Sequence, residues 1–459
     1  MQCRFAPGLG RAAVVLTIAW AWSGTALAQQ SGAPPVFGAD FAPVPYEDVL
    51  ENPDDVDINL RYARTQISEG RLDGAAITLE RILILNPELN RVRLLYAIVL
   101  YRLDNLAEAK QEFEALKATD ELPSKLAAEA QSYLDAIAQR RKTWNGAVTF
   151  GAGIHVDSNR NSYPESDRFR IQDQIIPGTQ DQNGDVGVLG FANLELGYDP
   201  GMQRVSSIYV DMTGLMDQQA REDDLDLFAG MIETGAHIDA SAFQVVPHMR
   251  YENLGLAGNR YADIVEGGVR INRVSHAISG LKSFLGGRIS YEDFKDTPNV
   301  PFNHERSGPL FEAEAGVRYD VTPAFQVEGS YTLSIKDANE SFQSYEGHEL
   351  ALSGTYVFGN QSFLVGTGSL DRQTYDAPDT FINPSATITR QDTDSRLRLT
   401  YGVPFNVLLK TAGVSDIAPE TRSLVLSVSG EYFESESNIR NFEYENWRSS
   451  FLITKRFAF

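Results

Sequence analysis

Residues 311–336 read FEAEAGVRYDVTPAFQVEGSYTLSIK. Two long alternations meet there at a Thr322-Pro323 turn. Phe311, Ala313, Ala315, Val317, Tyr319 and Val321 share one face, while Glu312, Glu314, Gly316 and Arg318 share the other. Beyond the turn, Phe325, Val327, Tyr331, Leu333 and Ile335 oppose Gln326, Glu328, Ser330, Thr332 and Lys336. Period two belongs to a strand, whose successive side chains point to opposite faces. Soluble strands have a mode of about 5–6 residues, whereas a tilted bilayer crossing takes about 9–11. These runs fit the bilayer.

The same pattern continues to the C-terminus. Leu397, Leu399 and Tyr401 oppose Arg396, Arg398 and Thr400; Leu424, Leu426, Val428 and Tyr432 oppose Ser423, Ser427, Ser429 and Glu431. Strands are predicted at 145–156, 186–198, 204–216, 225–239, 243–252, 261–273, 281–293, 309–321, 324–336, 347–358, 361–373, 392–403, 421–434 and 443–459, about fourteen in all. Long odd gaps (157–185, 294–308, 374–391) alternate with short even ones (199–203, 322–323, 359–360). Outer loops and periplasmic turns alternate in this way. Gap 404–420 breaks the rule, as a segment folding into the lumen or a miscounted strand would. The chain closes on Phe451-Leu-Ile-Thr-Lys-Arg-Phe-Ala-Phe459, where Phe451, Phe457 and the terminal Phe459 suit a closing outer-membrane strand. Lys455 interrupts that face, at a cost of about 0–1 kcal/mol near an interface. The expected fold is therefore α+β and multi-domain, ending in an antiparallel transmembrane β-barrel over 142–459. A soluble β-sandwich would need these apolar faces to meet each other.

Composition agrees. The 459 residues include 37 Gly, 19 Tyr and 24 Phe, and the net charge is −22. Mean hydropathy is −0.26 and the pI about 4.7. Polytopic helical membrane proteins and duplex nucleic-acid binders are both disfavoured, so no nucleic-acid partner is expected.

Arg4 and Arg11, the apolar run Ala12–Ala21 and Ala26-Leu27-Ala28 make 1–28 a secretory leader. It carries the one cysteine, Cys3, so the mature chain has no disulfide or thiol chemistry; losing Arg4 and Arg11 takes the charge from −22 to −24. Residues 29–54, with Pro34, Pro35, Pro43 and Pro45, read as a proline-rich linker.

From 55 to 141 the period becomes helical, as in Leu79, Ile82 and Leu83. Ala63 and Ala97, Ala75 and Ala109, and Leu79 and Phe113 repeat at 34 residues, the tetratricopeptide period. Gly70 and Pro87 punctuate the first repeat, and Asp104 takes the turn glycine's place in the second. A helix over 124–141 would cap them. Arg64, Arg91, Tyr101 and Arg102 are candidates for a client groove; a plain spacer is the competing reading.

The barrel register points Glu312, Glu314, Arg318, Glu328, Lys336, Arg396 and Arg398 into the lumen, to brace the wall or to line a path. No catalytic, cofactor or metal motif is present. The histidines are scattered, and Asp181-Gln-Asn183-Gly184-Asp185 has Ala192 where a calcium loop needs its bidentate Glu. Glu222-Asp223-Asp224 reads as a solvated loop. No enzyme is expected.

A leader, a short tetratricopeptide-like module and a fourteen-strand barrel together resemble the surface lipoprotein assembly modifier (Slam) family. The first strand, Trp144-Asn-Gly-Ala-Val-Thr-Phe-Gly-Ala-Gly-Ile-His-Val-Asp157-Ser158-Asn159, is similar to those barrels in its alternating glycines and in Asp157, Ser158 and Asn159. The resemblance implies translocation of client lipoproteins or related secreted proteins to the surface of a Gram-negative cell. It places a client-engaging helical domain in the periplasm and a monomeric barrel in outer-membrane lipid, assembled by the barrel machinery and periplasmic chaperones. A polysaccharide-export porin, a passive porin and an adhesin or receptor barrel are the alternatives.

Overall fold

The computed structural model describes residues 44–103, 105–119, 122–140, 143–178, 181–202, 205–240, 243–275, 278–414, 421 and 423–459. The predicted leader, Cys3, Asp104 and most of the predicted linker lie outside them. The chain divides into two compact units between Thr143 and Trp144.

The first unit holds α1 (Tyr46–Glu51), α2 (Val56–Ser68), α3 (Leu72–Leu85), α4 (Asn90–Arg102), α5 (Leu106–Lys117) and α6 (Ser124–Arg140). Asp55 caps α2 by accepting from Ile58 N–H at 3.0 Å, worth about 1 kcal/mol. Gly70, at φ +77°, turns the chain from α2 into α3. Each helix from α2 onward packs on the next, and α6 also reaches α4. Ala63, Ala75, Leu79, Ala97, Ala109 and Phe113, the six positions spaced 34 apart, are all fully buried. The alanines admit a close helix crossing and the larger side chains fill the space beside it. Leu94 to Leu100 are buried without interruption, so α4 is enclosed on every side. Part of the predicted linker is folded: Val44 and Val49, flanking and within α1, pack with Tyr62.

The second unit runs β1 (Trp144–Asp157), β2 (Arg168–Ile171), β3 (Gln174–Pro177), β4 (Asp185–Tyr198), β5 (Val205–Gln219), β6 (Leu227–Ala240), β7 (Phe243–Leu256), β8 (Asn259–Val274), β9 (Leu281–Phe294), β10 (Gly308–Thr322), β11 (Phe325–Lys336), β12 (Tyr345–Val357), β13 (Phe363–Tyr375), β14 (Gln391–Pro404), β15 (Leu424–Ser437) and β16 (Tyr444–Ala458). All but β2 and β3 form one closed antiparallel barrel of fourteen strands in chain order. β16 closes on β1 from Ala147↔Ala458 to Asp157↔Arg448, so no strand edge is left open. β2 and β3 form a separate hairpin within the first long connection.

The alternation decides the faces. Phe150, Ile154, Phe311, Val317, Leu397, Leu399, Val428, Phe451 and Phe457 are all substantially exposed on the outside. Soluble monomers rarely expose apolar patches beyond a few hundred Å². Aromatic pairs mark both ends of this belt: Trp144 with Tyr198 at 4.7 Å and Tyr356 with Phe358 at 4.8 Å near the turns, Tyr432 with Trp447 at 4.5 Å near the loops. Lys455 Nζ lies 5.3 Å from the Phe457 ring, close to the turn end.

Two connections depart from expectation. β7 and β8 extend past their predicted ends and join through Ala257-Gly258 alone, both at positive φ. The long gap after Pro404 opens with a short helix, α7 (Phe405–Thr411), not a fifteenth strand; 415–420 lie outside the described residues.

Candidate functional site: the inner wall of the barrel

Much of the charge on the inner face is paired across neighbouring strands. Arg288 donates to both Glu312 oxygens, at 2.6 and 2.8 Å, because the two residues sit opposite each other on β9 and β10. Arg318 bonds Glu328, its direct partner across β10 and β11. Arg270 lies 3.8 Å from Glu314. Arg396 donates to Glu431 at 3.1 Å, and Arg398, opposite Glu431, lies 3.7 Å from it. Lys336 donates to Glu292 at 2.9 Å and to the Gly308 carbonyl at 2.8 Å. That last pair skips a strand, from β11 to β9. Arg456 on β16 likewise reaches over β1 to hold Glu195 on β4, at 2.8 and 2.7 Å. Side chains converge in this way on the concave side of a curved sheet and diverge on the convex side.

A second network sits where β1 meets β16, at their loop ends. His155 Nδ1 is 2.7 Å from Asp157 Oδ2, and its Nε2 is 2.6 Å from Asp217 Oδ1. Carboxylates only accept, so two such bonds require the imidazolium. Arg448 donates to Asp217 at 3.1 Å. Asn446 donates to Asp157 at 2.9 Å, while its own Oδ1 accepts from the Ser158 and Asn159 amides at 3.1 and 2.9 Å. Trp447 N–H donates to Ser158 Oγ at 2.8 Å. Asn159 is buried and donates to the Glu445 carbonyl at 3.0 Å. Asp157, Ser158 and Asn159 therefore fasten β1 and its outgoing loop to β16. Their partners His155, Asp217, Asn446 and Arg448 were not singled out from sequence. Inward parity marks His155 and Arg448, but nothing local says that they meet.

The outer connections are tied to one another. Gln172 and Asp173, in the turn between β2 and β3, donate their amides to Phe381 and Ile382 carbonyls at 3.3 and 3.0 Å. Asn441 brackets Arg170 through both its amide and carbonyl. Asn183 donates to Glu222, and Asn299 to Asp224. Asn339 N–H donates to the Ser307 carbonyl at 2.7 Å, and Asp376 N–H to that of Ser344 at 3.0 Å. Asp185 caps the Arg221 and Glu222 amides, at 3.0 and 2.8 Å.

In the helical unit, Arg64, Arg91 and Arg102 are exposed. Tyr101 is half-buried, edge-on to Tyr133 of α6 at 5.3 Å. That ring packs α4 against α6. Among the described residues, no group of three or more His, Cys, Asp or Glu is placed to hold a metal.

No family model matches the chain, and no curated protein matches it. Solved structures do. OmpTdeltaL8, a loop L8 deletion mutant of the Vibrio cholerae outer membrane protein OmpT, is 10% identical with a TM-score of 0.36, covering 68% of this chain and 99% of that one. An anion-selective porin from Comamonas acidovorans is 8% identical at TM-score 0.35, covering 68% and 98%. The Yersinia enterocolitica type III secretion translocator chaperone SycD is 19% identical at TM-score 0.20, over 21% of this chain and 68% of that one. The fold is defined by the closed fourteen-strand order.

Proposed function

We propose that the chain spans the outer membrane of a Gram-negative bacterium as a channel. The observation that carries this reading is the closed barrel with apolar side chains outside and paired charges inside. Closure satisfies the backbone hydrogen bonds that lipid cannot. The aromatic pairs at both ends suit the headgroup regions. A polar, charge-lined interior gives water-soluble cargo a path. Reconstitution of the purified protein into planar bilayers tests this: stepwise conductance is expected, and bilayers that stay silent with correctly folded barrel sink it.

A finer reading assigns the path to client lipoproteins or related secreted proteins, for display at the surface. It is favoured by a folded helical unit that precedes β1 in the chain. On this reading the unit lies in the periplasm and engages the client. The test is co-expression with a candidate lipoprotein and protease treatment of intact cells. The client becomes digestible only when this chain is present; equal exposure without it removes the reading and leaves the channel.

A further inference from the structure

Strand register sets carboxylates directly opposite one another in two rows on the inner wall. Glu195, Asp211 and Glu233 are cross-strand partners on β4, β5 and β6. Glu349, Asp371 and Asp394 are partners on β12, β13 and β14. Like charges so placed destabilise a sheet. Five strands separate the rows one way round the barrel and three the other, so they lie on roughly opposite walls. The wall's cations do not cancel them. Arg456 holds Glu195, but Arg250, opposite Glu233, is drawn off to Glu266 at 2.7 Å. Asp211 receives neutral donors, the Asn193 amide at 2.8 Å and the Thr213 hydroxyl at 3.3 Å. Among the described residues, Glu349, Asp371 and Asp394 have no ion pair; Asp371 receives the neutral Gln373 amide at 2.7 Å.

A second observation points to what the first row meets. Thr149 is 8% exposed, and its hydroxyl has no hydrogen-bond partner. It sits opposite Asn193 on β4. Asn193 is 3% exposed and uses its amide on Asp211, yet its carbonyl oxygen Oδ1 is also unpartnered. Two orphaned, buried oxygens beside a carboxylate that has no ion pair among the described residues are an oxygen-donor environment. A hard monovalent cation, keeping part of its water, suits such donors.

We infer that the barrel conducts cations in preference to anions, with Thr149, Asn193 and Asp211 forming a transit site for a monovalent cation and the Glu349 row drawing cations in near the loop end. This rests on the channel reading above. Glu349, Asp371 and Asp394 each lie within four residues of the loop end of their strands. A cation entering from that end meets them first. Clefts lined by one sign of charge concentrate counter-ions.

The experiment is the reversal potential of the full mature protein in planar bilayers under a KCl gradient. A K+ over Cl− permeability ratio on the order of tenfold is expected, from counter-ion focusing of that size. Asp211→Asn with Glu233→Gln should lower the ratio severalfold, as should Glu349→Gln with Asp371→Asn on the opposite wall. Heat-modifiable migration on gels checks that each variant is folded, and the second pair serves if the first fails to assemble. A current that is unselective or favours Cl− overturns the inference and leaves the channel standing. A ratio unchanged in the folded variants overturns the role of the rows. Silent bilayers remove the channel and this inference together.

Discussion

His155 holds two buried carboxylates apart. Removing the imidazolium leaves Asp157 and Asp217 with Arg448 and Arg160 as the nearby cations, and takes away the one group bonded to both carboxylates at 2.7 and 2.6 Å. His155→Ala should therefore cost about 3 kcal/mol, the order for breaking a buried ion pair. Urea unfolding in lipid vesicles, followed by tryptophan fluorescence, measures it; a loss under about 0.5 kcal/mol, the surface-pair scale, would show that the pair does not brace the seam. His304, in the exposed loop between β9 and β10, offers a pH-dependent contrast. Its ring nitrogen bonds the Asp296 carboxylate at 2.8 and 2.9 Å, and this bond raises its pKa above the ordinary histidine value. In return the His304 amide, then the ring, hold Asp296 below the ordinary carboxylate value. The pair is complete only between those limits. It is lost as pH rises through the raised His304 value, or falls through the lowered Asp296 value. In Asp296→Asn the His304 titration, followed by NMR, should drop back toward the ordinary value; no movement would deny the pairing.

At the scale of elements, the alternating glycines of β1 have different jobs. A Cβ on Gly151 would lie 2.0 Å from the Phe191 ring, so the glycine makes room for that ring on the inner wall. A Cβ on Gly153 would lie 2.2 Å from the Phe451 carbonyl oxygen, a backbone atom that cannot swing away. The β7–β8 turn carries the opposite flaw. Ala257 has φ +49° ahead of Gly258 at +74°, a pattern that favours Asn-Gly. Ala257→Asn should stabilise the barrel by about 1 kcal/mol by easing the left-handed strain, read as a shift in urea midpoint. A lower midpoint would mean that this turn is not strained. The predicted strands located the barrel well because each run reports its own two faces. They missed the true length of β7 and β8 because Leu254 and Leu256 are buried on the inner face, which reverses the expected apolar-out pattern.

For the whole molecule, the tied outer connections make a rim. The β2–β3 hairpin is its widest link, reaching from the first connection to the one between β13 and β14. Deleting 168–177 should leave the barrel assembled, since its closing ladder lies below the loops. It should also expose 376–390 to limited proteolysis by removing the partners of Phe381, Ile382 and Ser385. Mass spectrometry of the fragments locates the cut, and an unchanged pattern would mean that the hairpin does not hold that segment.

The sequence alone determined the helical stretch, the number of barrel strands and the face each residue takes. Those are local properties: period and turn chemistry are written within a few tens of residues, and an outward face that meets lipid needs no partner elsewhere in the chain. The partners belong to the tertiary structure. Ser158 meets Asn446 across 288 residues, and Lys336 reaches Glu292 past an intervening strand. Stagger and closure set such meetings, and no single segment encodes them. For the same reason the Asp157-Ser158-Asn159 motif was visible from the start, but its work as a fastening became plain only when the last strand lay beside the first. The acidic rows are alike in this. Each carboxylate is an ordinary inward residue on its own strand, and only the register sets three of them side by side.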